Sequence, residues 1–126
     1  MDDLERLERA VLSKTFDGAH PALAILREQW AQATIVKREL TGVGAYSTFR
    51  VASSAPRLPL AKAAFGDVIV QTPTVRQGIG TVLFIRDGWL DFLEMFTYDE
   101  PWPQTLGELT LSYERVPRNL TALDYR

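Results

Sequence analysis

Polar and apolar residues alternate along this chain with two different periods, and the change of period divides it. From Asp3 to Lys14, Leu4, Leu7, Val11 and Leu12 recur three and four residues apart, with Glu and Arg between them. That spacing lays an apolar stripe along one side of an α-helix. Asp2 or Asp3 can cap its start, where acidic residues also suit the helix dipole. Asp17-Gly18 ends it. His20-Pro21 opens a second predicted helix, since the missing proline N–H would be unpaired at the first helical position anyway. Ala22, Leu23, Leu26 and Trp30 form its stripe, and it ends near Gln32.

After Ala33 the period falls to two. Strands are predicted over Thr34–Leu40 and Ala45–Val51, joined by Thr41-Gly42-Val43-Gly44, a turn or bulge signal. Ala52–Ala64 holds Ser53, Ser54, Pro56 and Pro59 and reads as a surface loop with a short helical turn at Leu60–Ala64. Gly66–Thr72 is a valine- and isoleucine-rich strand stopped by Pro73. Ile79–Arg86 and Trp89–Tyr98 flank Asp87-Gly88, the pair that favours a tight hairpin of the mirror-image turn class. Gly107–Val116 is the last predicted strand, and the tail beyond Pro117 has no period. The expectation is an α+β fold: two N-terminal helices packed on an antiparallel β-meander of five to six strands. It is one domain over 1–126, with a helical hairpin in 1–32, the sheet in 33–116 and a tail in 117–126.

A two-residue turn at Asp87-Gly88 predicts a register for the hairpin: Ile85 opposite Leu90, Phe84 opposite Asp91, Leu83 opposite Phe92 and Thr81 opposite Glu94. One face then carries Ile79, Leu83, Ile85, Leu90, Phe92 and Phe96 and packs on the helices. It also carries Glu94, whose burial costs several kcal/mol unless it is paired or protonated. The other face carries Gly80, Val82, Phe84, Arg86, Trp89, Asp91, Leu93 and Met95, too apolar for full solvation. Either another segment covers it, or it is a groove or an interface. A bulge in the hairpin would reverse the face of Glu94.

A chain of 126 residues buries enough surface to fold without a disulfide or metal staple. It has no cysteine, which excludes a disulfide scaffold, a thiol nucleophile and thiolate zinc sites. The charged start Met1-Asp2-Asp3-Leu4-Glu5-Arg6 is unlike a signal peptide, and no apolar run is long enough to span a bilayer. A cytoplasmic protein with no membrane partner is expected. The net charge of −2 is too balanced for nucleic-acid binding through a general basic field. His20 is the single histidine. It has no paired nucleophile for a triad and reads as a helix-entry residue. The GxG at Gly42–Gly44 lacks the strand–turn–helix context of a phosphate loop. Asp91, Glu94, Asp99 and Glu100 match no metal-loop spacing. No catalytic residue, metal site or cofactor is expected.

The candidate binding residues are Glu94, Tyr46, Arg50, Tyr98, Asp99, Glu100 and Trp102. Glu94 is either a ligand-orienting carboxylate in a pocket, with Tyr46, Arg38 or Arg50 beside it, or a structural carboxylate held by arginine or backbone amides. Tyr98-Asp99-Glu100-Pro101-Trp102-Pro103 is a proline-stiffened loop that displays aromatic and acidic groups, the usual anchors of an interface. Its plainer reading is a strand exit in which Trp102 closes the core and the acidic pair is exposed.

The Arg86-Asp87-Gly88 hairpin and the following Leu93-Glu94-Met95-Phe96-Thr97-Tyr98-Asp99-Glu100-Pro101-Trp102-Pro103 resemble a signature of small bacterial single-domain proteins of unassigned function. The resemblance covers the central hairpin and its exit loop. In size and plan the chain is also similar to single-domain immunity proteins that bind and block toxins. That likeness implies a protein partner and carries over no catalytic residue. The expected function is therefore a non-catalytic protein-binding module of immunity or adaptor type. The alternative is a small-molecule-binding or enzymatic domain with Glu94 in a pocket between sheet and helices. Assembly as a homo-oligomer, through the second sheet face or an edge strand, is compatible with either.

Overall fold

The computed structural model describes residues 3–125. Two helices, α1 (Asp3–Thr15) and α2 (Pro21–Ala31), precede seven strands: β1 (Ala33–Leu40), β2 (Gly44–Val51), β3 (Lys62–Phe65), β4 (Val68–Thr72), β5 (Val75–Arg86), β6 (Trp89–Thr97) and β7 (Thr110–Tyr113). The fold is α+β, with the strands in one antiparallel sheet of order β1-β2-β6-β5-β4-β7 and β3 also paired with β5. Two runs of sequential neighbours, β1–β2 and β4–β5–β6, are thus joined where β2 pairs with β6.

The helix starts follow the chain's own chemistry. The His20 Nδ1 accepts the Ala22 N–H at 3.1 Å, and its Nε2 lies 2.8 Å from Asp124 Oδ1. Pro21 occupies the first turn of α2. At α1 the Asp3 carboxylate accepts the Leu106 N–H at 2.7 Å. That bond, helped by Arg6, holds the carboxyl below its ordinary range. Asp2, the alternative cap, lies outside the described residues.

The stretch expected as loop with a helical turn instead ends in β3. Lys62–Phe65 pairs with Arg86–Leu83. β3 and β4 run end to end along one edge of β5, broken at Gly66-Asp67. There the chain passes so close to β5 that a Cβ on Gly66 would overlap the Thr81 carbonyl oxygen. β5 begins at Val75 rather than Ile79, and the last strand shrinks from Gly107–Val116 to four residues.

Leu7, Val11, Leu12 and Phe16, then Ala22, Leu23 and Leu26, pack on one sheet face against Ala45, Phe49, Val70, Ile79, Leu83, Ile85, Leu90, Leu93 and Met95. The tail joins this side, with Leu123 fully buried. Arg118 binds Asp67 through two bonds, at 2.6 and 2.8 Å, and donates to the Thr15 and Asp17 carbonyls that end α1. Two more polar groups tie helices to sheet. Glu8, 3% exposed, receives Arg38 through two 2.8 Å bonds and also accepts from the Ser47 hydroxyl. Gln29, fully buried, donates to the Pro56 and Gly88 carbonyls and accepts the Leu90 N–H, each at 2.9 Å. It thereby fixes α2 to the tip of the β5–β6 hairpin.

Candidate functional site

The hairpin turn has the predicted mirror-image geometry: Asp87 and Gly88 have φ of 53° and 81°. Arg86 faces Trp89 and Ile85 faces Leu90, as expected. The register then shifts. Phe84 pairs with Phe92 rather than Asp91, Leu83 with Leu93, Val82 with Glu94 and Gly80 with Phe96. Asp91 is the extra residue of a bulge. Because side chains alternate between faces, one extra residue exchanges the faces of everything beyond it. Leu93 and Met95 therefore enter the core. Phe92, Glu94 and Phe96 turn to the face away from the helices, which corrects the predicted core face. A polar aspartate at the bulge lets Leu90, Leu93 and Met95 pack in the core while Phe92 and Phe96 meet other rings on the far face.

β2 adds Tyr46 and Thr48 to this helix-free face, opposite Glu94 and Phe92, with Arg50 two residues beyond Thr48. The rings form two groups on this face. Phe84 stacks on Phe92 with centroids 4.3 Å apart, and Tyr46 lies 5.9 Å from Phe92. Tyr98 meets Phe96 edge-on at 5.4 Å and lies over Gly80, where a Cβ would run into both rings. Tyr46, Phe84, Phe92 and Phe96 are half-buried and Tyr98 is 43% exposed. The two segments able to close this face pack elsewhere: Ala55 and Leu58 of the 52–61 loop are in the core, and so is Leu123 of the tail.

Glu94 lies on β6 between Phe92 and Phe96, and so between the two groups of rings, and accepts a 3.0 Å hydrogen bond from the Tyr46 hydroxyl. Neither predicted arginine holds it. Arg38 is on the opposite face with Glu8, and Arg50 is exposed. The carboxylate raises the Tyr46 phenol above its ordinary range, first through the hydrogen bond and then through its charge. The pair is a polar centre in a half-buried, largely apolar surface.

The exit loop divides between support and display. Glu100 is not exposed as expected: its two carboxylate oxygens accept the Arg76 and Gln77 N–H groups at 3.0 and 2.8 Å. Those amides belong to an irregular stretch of β5, where Thr72 pairs with Val75 and Val70 with Ile79. Trp102 packs on the core, and its backbone N–H donates to the Gly42 carbonyl at 2.7 Å. It also lines a groove of about 520 Å³ with Leu4, Leu40, Pro103 and Leu106. Asp99, at φ 53°, is exposed at the turn beside Tyr98. The structure thus unites Tyr46, Glu94, Arg50 and Tyr98 on one face, with Asp99 at its margin. It separates Glu100 and Trp102 from them as supports of the loop. Phe84, Phe92 and Phe96 belong to the site but were missed as binding candidates; the signal for the last two was Asp91, a charge that breaks the apolar alternation of β6.

Among the described residues no group of three His, Asp or Glu side chains is placed to hold a metal ion, and no helix is long and apolar enough to cross a membrane. No family model, curated protein or solved structure matches the chain.

Proposed function

We propose that this protein is a non-catalytic binding module of immunity or adaptor type, cytoplasmic, whose partner docks on the helix-free face of the sheet. One observation carries the reading: two groups of partly solvated aromatic side chains, Tyr46–Phe92–Phe84 and Phe96–Tyr98, flank Glu94 on the helix-free face, with core segments drawn to the other side. Aromatic rings give large contact area at low entropic cost, and such residues dominate interface energetics. Arg50 and Asp99 add unlike charges to the rim, which favours orientation over bulk affinity.

The test is capture of a stoichiometric protein partner by the tagged chain, repeated with Tyr98→Ala and Phe92→Ser. Both variants are expected to keep their circular dichroism spectrum and lose the partner. Retention of the partner by both folded variants would remove this face from the interaction. A second reading, small-molecule binding or chemistry at Glu94, draws its support from the phenol–carboxylate hydrogen bond alone. It predicts that Glu94→Gln abolishes binding of a ligand while the melting temperature stays within a few degrees.

A further inference from the structure

The sheet's outer edges differ. β3 and β7 are four residues long each, whereas β1 offers eight, paired among the described residues only with β2. A long open edge exposes unpaired peptide groups, and natural proteins blunt such edges with lysines and bulges. β1 carries both, Lys37 and a bulge at Val36. Yet it also exposes two apolar side chains, Val36 at 48% and Leu40 at 65%. Arg38 and Leu40 pair with Ser47 and Ala45 on the helix side, Lys37 and Glu39 pair with Thr48 and Tyr46 on the other, and Val36 is the extra residue of the bulge.

The order Val36-Lys37-Arg38-Glu39-Leu40 is self-complementary when it is paired antiparallel with itself. With a two-fold axis at Arg38, Lys37 of one copy faces Glu39 of the other, and Val36 faces Leu40. Both exposed apolar residues are then covered. The existing 3.2 Å ion pair between Lys37 and Glu39 becomes half of a four-charge array of alternating sign. Arg38 meets its own copy at the axis with its charge already balanced by the carboxylate of Glu8. A two-fold interface needs this property, since the same patch must fit itself. Shifting the axis by one residue, to between Lys37 and Arg38, would set Val36 against Glu39 and bring Lys37 opposite Arg38.

We infer that two copies of this chain join edge to edge through β1, in the register that sets Lys37 against Glu39 and Val36 against Leu40, making one continuous sheet. This does not rest on the helix-free face as a docking surface and leaves that face open in both copies.

The test is sedimentation velocity of the full chain over a range of concentrations, with Lys37→Glu, Glu39→Lys and the double exchange Lys37→Glu/Glu39→Lys, each checked for fold by circular dichroism. The wild type is expected to dimerise with rising concentration. Each single variant puts like charges opposite one another at two symmetric positions and weakens the dimer by about tenfold or more. The double exchange restores it. An equimolar mixture of the two single variants also dimerises. One chain then carries a carboxylate at both positions and the other an ammonium at both, so every facing pair is of opposite sign. A wild type that is monomeric throughout overturns the inference. So does a dimer indifferent to both single changes, or one that neither the double exchange nor the mixture restores.

Discussion

Replacing Gln29 by leucine should be the most damaging single change of a polar residue in this molecule. The side chain is fully buried and makes three hydrogen bonds of 2.9 Å. The Gly88 carbonyl keeps a second donor, the Leu58 N–H at 3.0 Å. Pro56 O and Leu90 N–H lose the partner Gln29 supplies. The buried Leu90 N–H left unpaired costs about 1–3 kcal/mol, and the half-buried Pro56 carbonyl costs less. Counting the bonds instead, three at about 1 kcal/mol each give about 3. The added apolar surface of leucine offsets little, because the site is already full. The expected loss is therefore about 3 kcal/mol, a large share of the 5–15 kcal/mol of a typical domain. Urea unfolding should show the midpoint falling with the slope unchanged, and the Leu90 amide should lose its protection against hydrogen exchange. Gln29→Glu, which keeps the acceptor for Leu90 but removes both donors, should also be destabilising. A loss below about 1 kcal/mol in Gln29→Leu would refute the view that this clamp holds the hairpin tip to α2.

Three further outcomes are expected. Gly66→Ala should cost about 3 kcal/mol or abolish folding, since its Cβ meets the backbone carbonyl of Thr81 and neither strand can yield; chemical denaturation measures it. Gly80→Ala meets only the ends of the Tyr98 and Phe96 rings, which can swing away. It should stay folded, cost about 1 kcal/mol and raise the exposure of Tyr98 to a fluorescence quencher. The Tyr46 phenol, raised by Glu94, should ionise later than a free tyrosine in an ultraviolet absorbance titration, and Glu94→Gln should bring it back down. Because the folded-state value is the higher one, this pair's contribution to stability is full below the ordinary tyrosine range and is lost as pH rises through the folded value.

The helices, the hairpin turn and most strand positions were legible in the chain. Leu4, Leu7, Val11 and Leu12 mark α1 by spacing alone, Pro21 marks the start of α2, and Asp87-Gly88 accepts the positive φ angles that the turn requires. These are local signals, set by the backbone preferences of a few adjacent residues. The candidate site was legible only in part. Tyr46, Arg50, Glu94 and Tyr98 were selected by type, but their shared face depends on the bulge at Asp91, and a bulge is chosen by which register lets Leu93 and Met95 pack under the helices. Glu8 fell among the polar residues of α1 although it sits within the apolar stripe, between Leu4 and Val11. Its partner Arg38 lies thirty residues on, in a strand that only tertiary contact brings alongside. Glu100 likewise looked free until the irregular stretch of β5 presented two amides to it. The chain by itself determined the two helices, the hairpin turn and most of the strands, because those choices are made within a few residues; strand β3, read as loop, needed its pairing with β5. The tertiary structure alone decided strand order, register and therefore which face each aromatic ring and carboxylate occupies, because those follow from the joint packing of segments far apart in sequence.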